Sequence, residues 1–232
     1  MPTHTIFSIH GRPPLAAAVG RSRVQTARVV GSAAKRAFDI AAASSALVVL
    51  APLFGGVALV LKLTEPGPVF YAHERVGRTG RRFACLKFRT MVADGDAVLA
   101  RCLAEDPAAR AEWAATRKLR DDPRVTALGR LLRQTSLDEL PQLLNIIRGD
   151  MSVVGPRPVV DAELERYGRS ASAYLSVRPG LTGLWQVSGR SDTSYYQRVT
   201  LDRHYAKHRS MAMDLAIIAR TVPVVLSSNG SY

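Results

Sequence analysis

The stretch IAAASSALVVLAPLFGGVALVL, Ile40–Leu61, carries no charge over 22 residues and is broken by Pro52, with Gly55 and Gly56 close behind. Lys35 and Arg36 precede it and Lys62 follows it. As one helix it would extend roughly 33 Å, enough to cross a bilayer core of about 30 Å. This predicts a membrane segment over residues 35–64. Two topologies are open. A spanning helix would leave one positive flank on each side, because Arg21, Arg23 and Arg28 lie before it, with no acid ahead of Asp39, and Arg75, Arg78, Arg81 and Arg82 lie after it. Positive flanks favour the cytoplasmic side, so a span satisfies only one of them. A re-entrant segment bent near Pro52 keeps both flanks on one side. Proline deletes a helix hydrogen bond and clashes with the preceding turn, which supplies a physical cause for the bend. Each leg of about 11 residues rises about 16 Å, half the hydrocarbon thickness. Prolines also occur in ordinary spanning helices; the charge pattern makes re-entry the preferred reading.

Working outward, residues 1–34 contain no acid and read as a mobile basic leader. Residues 65–226 read as one further domain, and 227–232 as a short tail. The net charge of +13 points to anionic partners: nucleic acid, phosphorylated substrates or acidic lipid headgroups. The apolar segment shifts the weight to the last two. Cys85 and Cys102 are the two cysteines, too few for a disulfide framework or a thiolate metal site. After the breaker Glu65-Pro66-Gly67-Pro68, two extended pieces, Val69–Tyr71 and Phe83–Phe88, flank a turn at Gly77–Gly80. Helical patterns follow over Asp94–Arg120, Val125–Arg133, Ser136–Arg148, 160–176, Ser194–His208 and Ala212–Leu226, the last apolar enough to lie on a bilayer surface. The fold class expected is mostly α with a few short strands (α+β).

Several constellations could carry chemistry. Asp138 and Glu139 lie in TSLDELPQLLN. Locally, Ser136 and Glu139 match a capping box, with the acids in a helix's first turn. A helix start also favours phosphate, and a carboxylate there beside a divalent cation could attack phosphorus. Arg133 lies five residues earlier. In GDMSVVGPRP, Pro156 and Pro158 fix the backbone around Arg157, whose planar fork suits phosphate; a turn with its arginine in water is the plain alternative. Lys87 and Arg89 alternate with Phe88, which would place both cations on one face of a strand, as a diphosphate site or as a solvated face. Asp202 and Tyr205 sit at helical spacing in RVTLDRHYAKH and read locally as surface residues. WQVSGR, Trp185–Arg190, reads as a loop packed by its tryptophan.

Together the strings KRAFDI, KFRTM, DPRVTALGRLLRQTSLDELPQLLNIIRGDMSVVGPRP, RPGLTGLWQVSGR and LDRHYAKH resemble the bacterial sugar transferase family, the monotopic phosphoglycosyl transferases. The resemblance covers roughly residues 34–226, and its order and length are what make it specific. It implies transfer of a sugar 1-phosphate from a nucleotide diphosphosugar, expected to be a UDP-hexose, to undecaprenyl phosphate, with release of UMP and use of Mg²⁺. It implies that Asp138 is the nucleophile of an aspartyl phosphosugar and that Glu139 helps hold the metal. Lys87, Arg89, Arg133 and Arg157 fall on the family's basic positions and are expected at phosphate or nucleotide; Asp202 is a further substrate-binding candidate. The family's re-entrant helix bends at a proline that maps to Pro52. The preceding position, often Ser in the family, is Ala51 here, so a hydroxyl that could satisfy a freed carbonyl is missing. The implied setting is the cytoplasmic face of a bacterial inner membrane, in exopolysaccharide assembly. Membrane lipids are expected as partners, a homo-oligomer and downstream glycosyltransferases stand as candidates, and no nucleic acid is expected. The competing reading is a basic membrane adaptor or nucleic-acid-binding protein without catalysis, which explains the charge and the anchor but not the acidic pair between basic constellations.

Overall fold

A computed structural model describes residues 32–116, 119–189 and 194–226. The chain divides into Met1–Ser32 and Ala33–Tyr232, and the described helices and strands belong to the second unit, Ser32 alone excepted. The expected leader, apart from its last three residues, and the expected tail lie outside the described residues.

The apolar segment forms two helices, α1 (Ser32–Val49) and α2 (Ala51–Thr64), bent by 62° at Leu50. The sequence places the bend near Pro52; the structure moves it two residues earlier. Pro52 lies in the first turn of α2, where a missing N–H costs no helix bond. Among the described residues no single helix is long and apolar enough to cross a membrane, whereas the bent pair passes that test of length and composition together. Only one stripe of α2 packs on the rest of the chain: Phe54, Val57, Ala58 and Leu61, at helical spacing, meet Phe88 and Leu132. The other faces of α2 stay apolar and open, with Leu59 59% and Leu63 75% exposed, as does the end of α1, where Val48 and Val49 are each 75% exposed. Such a surface needs an apolar cover.

The segment after α2 leads into a hairpin, β1 (Phe70–Val76) and β2 (Arg82–Phe88), antiparallel with Tyr71 opposite Lys87 and His73 opposite Cys85. The turn falls where Gly77–Gly80 predicts it. The Asp94–Arg120 pattern is split into α3 (Gly95–Glu105) and α4 (Pro107–Thr116) by Asp106, whose carboxylate accepts the N–H groups of Ala108 and Ala109. Then come α5 (Ala127–Gln134), capped by the Thr126 hydroxyl, and α6 (Gln142–Arg148), ended by Gly149 at φ 97°. Strand β3 (Ser152–Val154) pairs in parallel with β4 (Gly180–Thr182). The helix expected over 160–176 is broken into α7 (Asp161–Glu165) and α8 (Ala171–Leu175) around Gly168, at φ 50°. Helix α9 (Tyr195–His208) starts at a Ser194–Gln197 capping box, and α10 (Met211–Leu226) follows. The α+β class is as expected.

The core beneath the hairpin joins Phe83 and Cys85 of β2 to Ala43 of α1, Leu143 and Ile146 of α6, and Met151. Helix α1 is therefore part of the domain's own packing.

Candidate active site

The site is assembled on one edge of β2. The Asn145 side chain of α6 accepts the Leu86 N–H at 3.0 Å and donates to the Ala84 carbonyl at 2.8 Å. It thus takes the place of a neighbouring strand and locks α6 along β2. The C-terminal carbonyls of α6 are closed by arginines from elsewhere: Arg36 donates to Ile146 and Ile147, and Arg178 to Gly149. With α6 fixed, the turn before it is fixed too. That turn, Leu137–Glu139, is a 3-10 turn carrying Asp138 and Glu139.

The expected capping box does not form. Ser136 adopts a left-handed conformation at φ 58°, and its side chain caps nothing. Pro141 holds off the α-helix until Gln142. The acids are thus released from a capping role and converge on one ammonium: Lys87 Nζ donates to Asp138 Oδ2 at 3.1 Å and to Glu139 Oε1 at 2.7 Å. These partners lie 51 and 52 residues apart in the chain.

The two neighbouring acids titrate apart. Burial pushes the Asp138 carboxyl up, and the Glu139 charge adds to this against Lys87 and Arg133. Burial also opposes ionisation of Glu139, but Lys87, Arg157 and Arg75 outweigh it and hold that carboxyl below its ordinary range. Burial opposes the Lys87 charge, and the two carboxylates overcome it, raising its pKa.

Arg157 reaches a cleft that Lys87, Glu139, Gln142, Arg75 and Gln186 also line; Asp138, 7% exposed, is outside that lining and meets it through Lys87. Its position is set by close backbone approach. A Cβ on Gly155 would lie 2.4 Å from the Arg178 carbonyl, and the Pro156 carbonyl accepts the Gly180 N–H at 2.8 Å. No described residue forms a hydrogen bond or ion pair with the Arg157 side chain. Arg133 faces Asp138 from α5, with its Nε donating to Thr90 at 2.9 Å.

Two candidates are placed elsewhere. Strand β2 ends at Phe88, so the alternation that would align Arg89 with Lys87 stops one residue short. Arg89 turns instead to the breaker after α2 and donates to the carbonyls of Pro66 (2.7 Å) and Glu65 (3.2 Å). Asp202 is 1% exposed, not a surface residue, and accepts the Tyr167 hydroxyl at 2.7 Å away from the cleft lining. Burial pushes its carboxyl up to about 6. A group raised this way stabilises the fold below its unfolded pKa of about 4 and loses that contribution as pH rises through about 6, on the order of 3 kcal/mol. Asp202→Asn is therefore expected to flatten the pH dependence of thermal stability between about 4 and 6 and to leave the donor KM unchanged. A raised KM with an unaltered melting profile would return Asp202 to the substrate site. Arg75, Gln142 and Gln186 also join the cleft; Gln142 and Gln186 lie inside TSLDELPQLLN and WQVSGR, strings read for their other residues, and Arg75 lies in no such string. For Arg75 the available signal is its alternation with His73 on β1.

The family model for bacterial sugar transferases matches residues 30–228. The chain belongs to the bacterial sugar transferase family. It is accordingly a transferase. Relatives agree on this. The exopolysaccharide production protein ExoY of Sinorhizobium fredii is 55% identical over 88% of this chain and 91% of that protein. The undecaprenyl-phosphate galactose phosphotransferase of Salmonella typhimurium is 51% identical over 85% of this chain and 41% of that protein. The UDP-glucose:undecaprenyl-phosphate glucose-1-phosphate transferase of Caulobacter vibrioides is 41% identical over 88% of this chain and 74% of that protein. The adaptor reading falls with this membership.

Among the described residues no group of three or more His, Cys, Asp or Glu could hold a metal ion by itself. The Asp138–Glu139 pair nevertheless fits Mg²⁺, a hard cation that takes one or two carboxylates and draws its remaining ligands from substrate phosphates and water.

Proposed function

We propose that this chain transfers a sugar 1-phosphate from a UDP-hexose, of the galactose or glucose type, to undecaprenyl phosphate, as the first membrane step of exopolysaccharide assembly. The observation that carries the reading is the convergence of Asp138 and Glu139 on Lys87, beside a cleft that Lys87, Glu139 and Arg157 line and in which Arg157 forms no ion pair with a described residue. A carboxylate pair set among cations suits a phosphoanhydride substrate.

Asp138 attacks the phosphorus that bears the sugar. A bond forms from its carboxylate oxygen, the bridging P–O bond breaks, and the electron pair leaves on UMP. The lipid phosphate then attacks the same phosphorus and returns the pair to the carboxylate. Lys87 keeps both carboxylates aligned, and Arg133 screens the phosphate oxygens next to Asp138. Glu139 would hold Mg²⁺, with its depressed pKa keeping it ionised for this role. Mg²⁺, when bound, neutralises charge on the diphosphate. The covalent intermediate lets one cleft serve a soluble donor and a lipid acceptor in turn. Incubation of the protein with labelled donor and no lipid tests this: UMP release together with label on the protein is expected, and release without label would reject the covalent route.

The bent α1–α2 pair supports a re-entrant anchor that dips into the inner membrane and returns, with the catalytic domain on the cytoplasmic face. Ala34 and Pro66 are both exposed beyond the two ends of the bend. In a Cys102→Ser background, Ala34→Cys and Pro66→Cys are expected to react with an impermeant maleimide from the same side of sealed vesicles. Labelling from opposite sides would replace the re-entrant anchor by a span.

A further inference from the structure

Arg75 lines the cleft with Arg157, Lys87 and Glu139 and takes no part in the proposed transfer steps. It stands on the hairpin face that also presents His73, Cys85 and Lys87. Among the described residues it reaches no carboxylate within ion-pair distance. Its side-chain hydrogen bond runs from Nη2 to Nδ1 of His73 at 3.1 Å. A guanidinium only donates, so Nδ1 is the unprotonated ring nitrogen. Burial, with the Arg75 and Lys87 charges, holds the His73 pKa down and keeps that acceptor available. The Arg75 charge is opposed by burial and then by Arg157 beside it. Glu163 and Glu139 act on these guanidiniums from beyond ion-pair distance, so two half-buried cations stand side by side with no ion pair from the described residues.

The cations also divide between the two acids. After Lys87, the positive neighbour acting on Asp138 is Arg133; those acting on Glu139 are Arg157 and Arg75. Lys87 spans the two halves.

We infer that Arg75, oriented by His73 and acting with Arg157, binds the phosphate on the side of the transferred phosphorus opposite Asp138: the nucleotide phosphate in the first half-reaction and the lipid phosphate in the second. This role rests on the proposed transfer reaction. Asp138 displaces the nucleotide in line, so the nucleotide phosphate departs on the side opposite the attacking carboxylate. The lipid phosphate must approach the same phosphorus from that vacated side, because Asp138 is now the group to be displaced. One anion subsite therefore serves both phosphates in turn.

The test uses the full chain in detergent micelles. For Arg75→Gln, donor-only labelling at subsaturating donor and discharge of labelled protein to undecaprenyl phosphate are both expected to slow by about ten- to a hundredfold, the effect of one charge-assisted hydrogen-bond donor. Arg75→Lys keeps the charge without the fork and should fall between Arg75→Gln and wild type. In wild type, added UMP should inhibit formation of the lipid product competitively against undecaprenyl phosphate, because UMP attacks the same aspartyl phosphosugar and returns the label as UDP-sugar; this readout needs no variant to fold. Noncompetitive inhibition, or Arg75→Gln labelling and discharging within about twofold of wild type, overturns the inference. Wild-type protein that takes no label from donor would instead overturn the reaction on which it rests.

Discussion

Asp138→Asn is expected to leave a folded protein that takes no phosphosugar from labelled donor and loses at least about a thousandfold in turnover. The amide is isosteric, but it lacks the anionic oxygen that would form the acyl phosphate. Folding should survive, because Lys87 keeps its 2.7 Å contact with Glu139 and a buried carboxylate is exchanged for a neutral group. Full activity in this variant would remove Asp138 as the nucleophile. The same carboxyl sets the acid side of the pH profile. It must be ionised to attack, and burial and Glu139 raise its pKa, so labelling should fall on acidification at a pH above the ordinary aspartate value of about 4. Glu139→Gln removes the neighbouring negative charge. The acid limb of whatever activity remains should then move to lower pH, and a limb that stays in place would mean that Asp138 does not govern it.

The second large effect concerns the junction between α1 and the rest of the domain. Asp39 of α1 is 1% exposed. It accepts Lys35 Nζ at 2.8 Å, the Ser152 hydroxyl at 2.8 Å and the Val153 N–H at 3.1 Å. Lys35 also meets Asp214 of α10 at 3.0 Å, and Asp214 accepts the Tyr205 hydroxyl at 2.7 Å. One buried carboxylate thus ties α1 to β3 and, through Lys35, to α10. Asp39→Ala leaves two buried donors on β3 without a partner. Breaking such a buried charged network costs about 3–5 kcal/mol, a large part of the roughly 5–15 kcal/mol that holds a domain together. The melting temperature in detergent should fall by on the order of 10 °C, with a smaller fall for Asp39→Asn, which keeps an acceptor. A melting temperature within about 2 °C of wild type would mean that apolar packing alone holds α1 in place.

Much of the architecture is legible locally. An uncharged run broken at Ala51-Pro52 yields a bent helix pair, the Gly77–Gly80 turn yields the hairpin, and Gly149 ends α6, because each rests on backbone freedom within a few residues. The local rules misread the acids. Ser136 and Glu139 have the right spacing for a cap, yet Pro141 delays the helix and Ser136 turns left-handed. Arg89 follows the strand pattern on paper, yet β2 stops before it and leaves it to hold the exit from α2.

The amino-acid sequence by itself determined the family, the apolar run with its break, and Asp138, Glu139, Lys87 and Arg157 as residues of interest, since each of these is written in contiguous strings. The tertiary structure alone decided that one ammonium bridges both acids, that Arg75 joins Arg157 while Arg89 and Asp202 stay away, and that Asp39 fastens α1 to β3. Those are contacts between residues dozens of positions apart. Their partners are chosen by how α6 docks on β2 through Asn145, a register that no short window of sequence encodes.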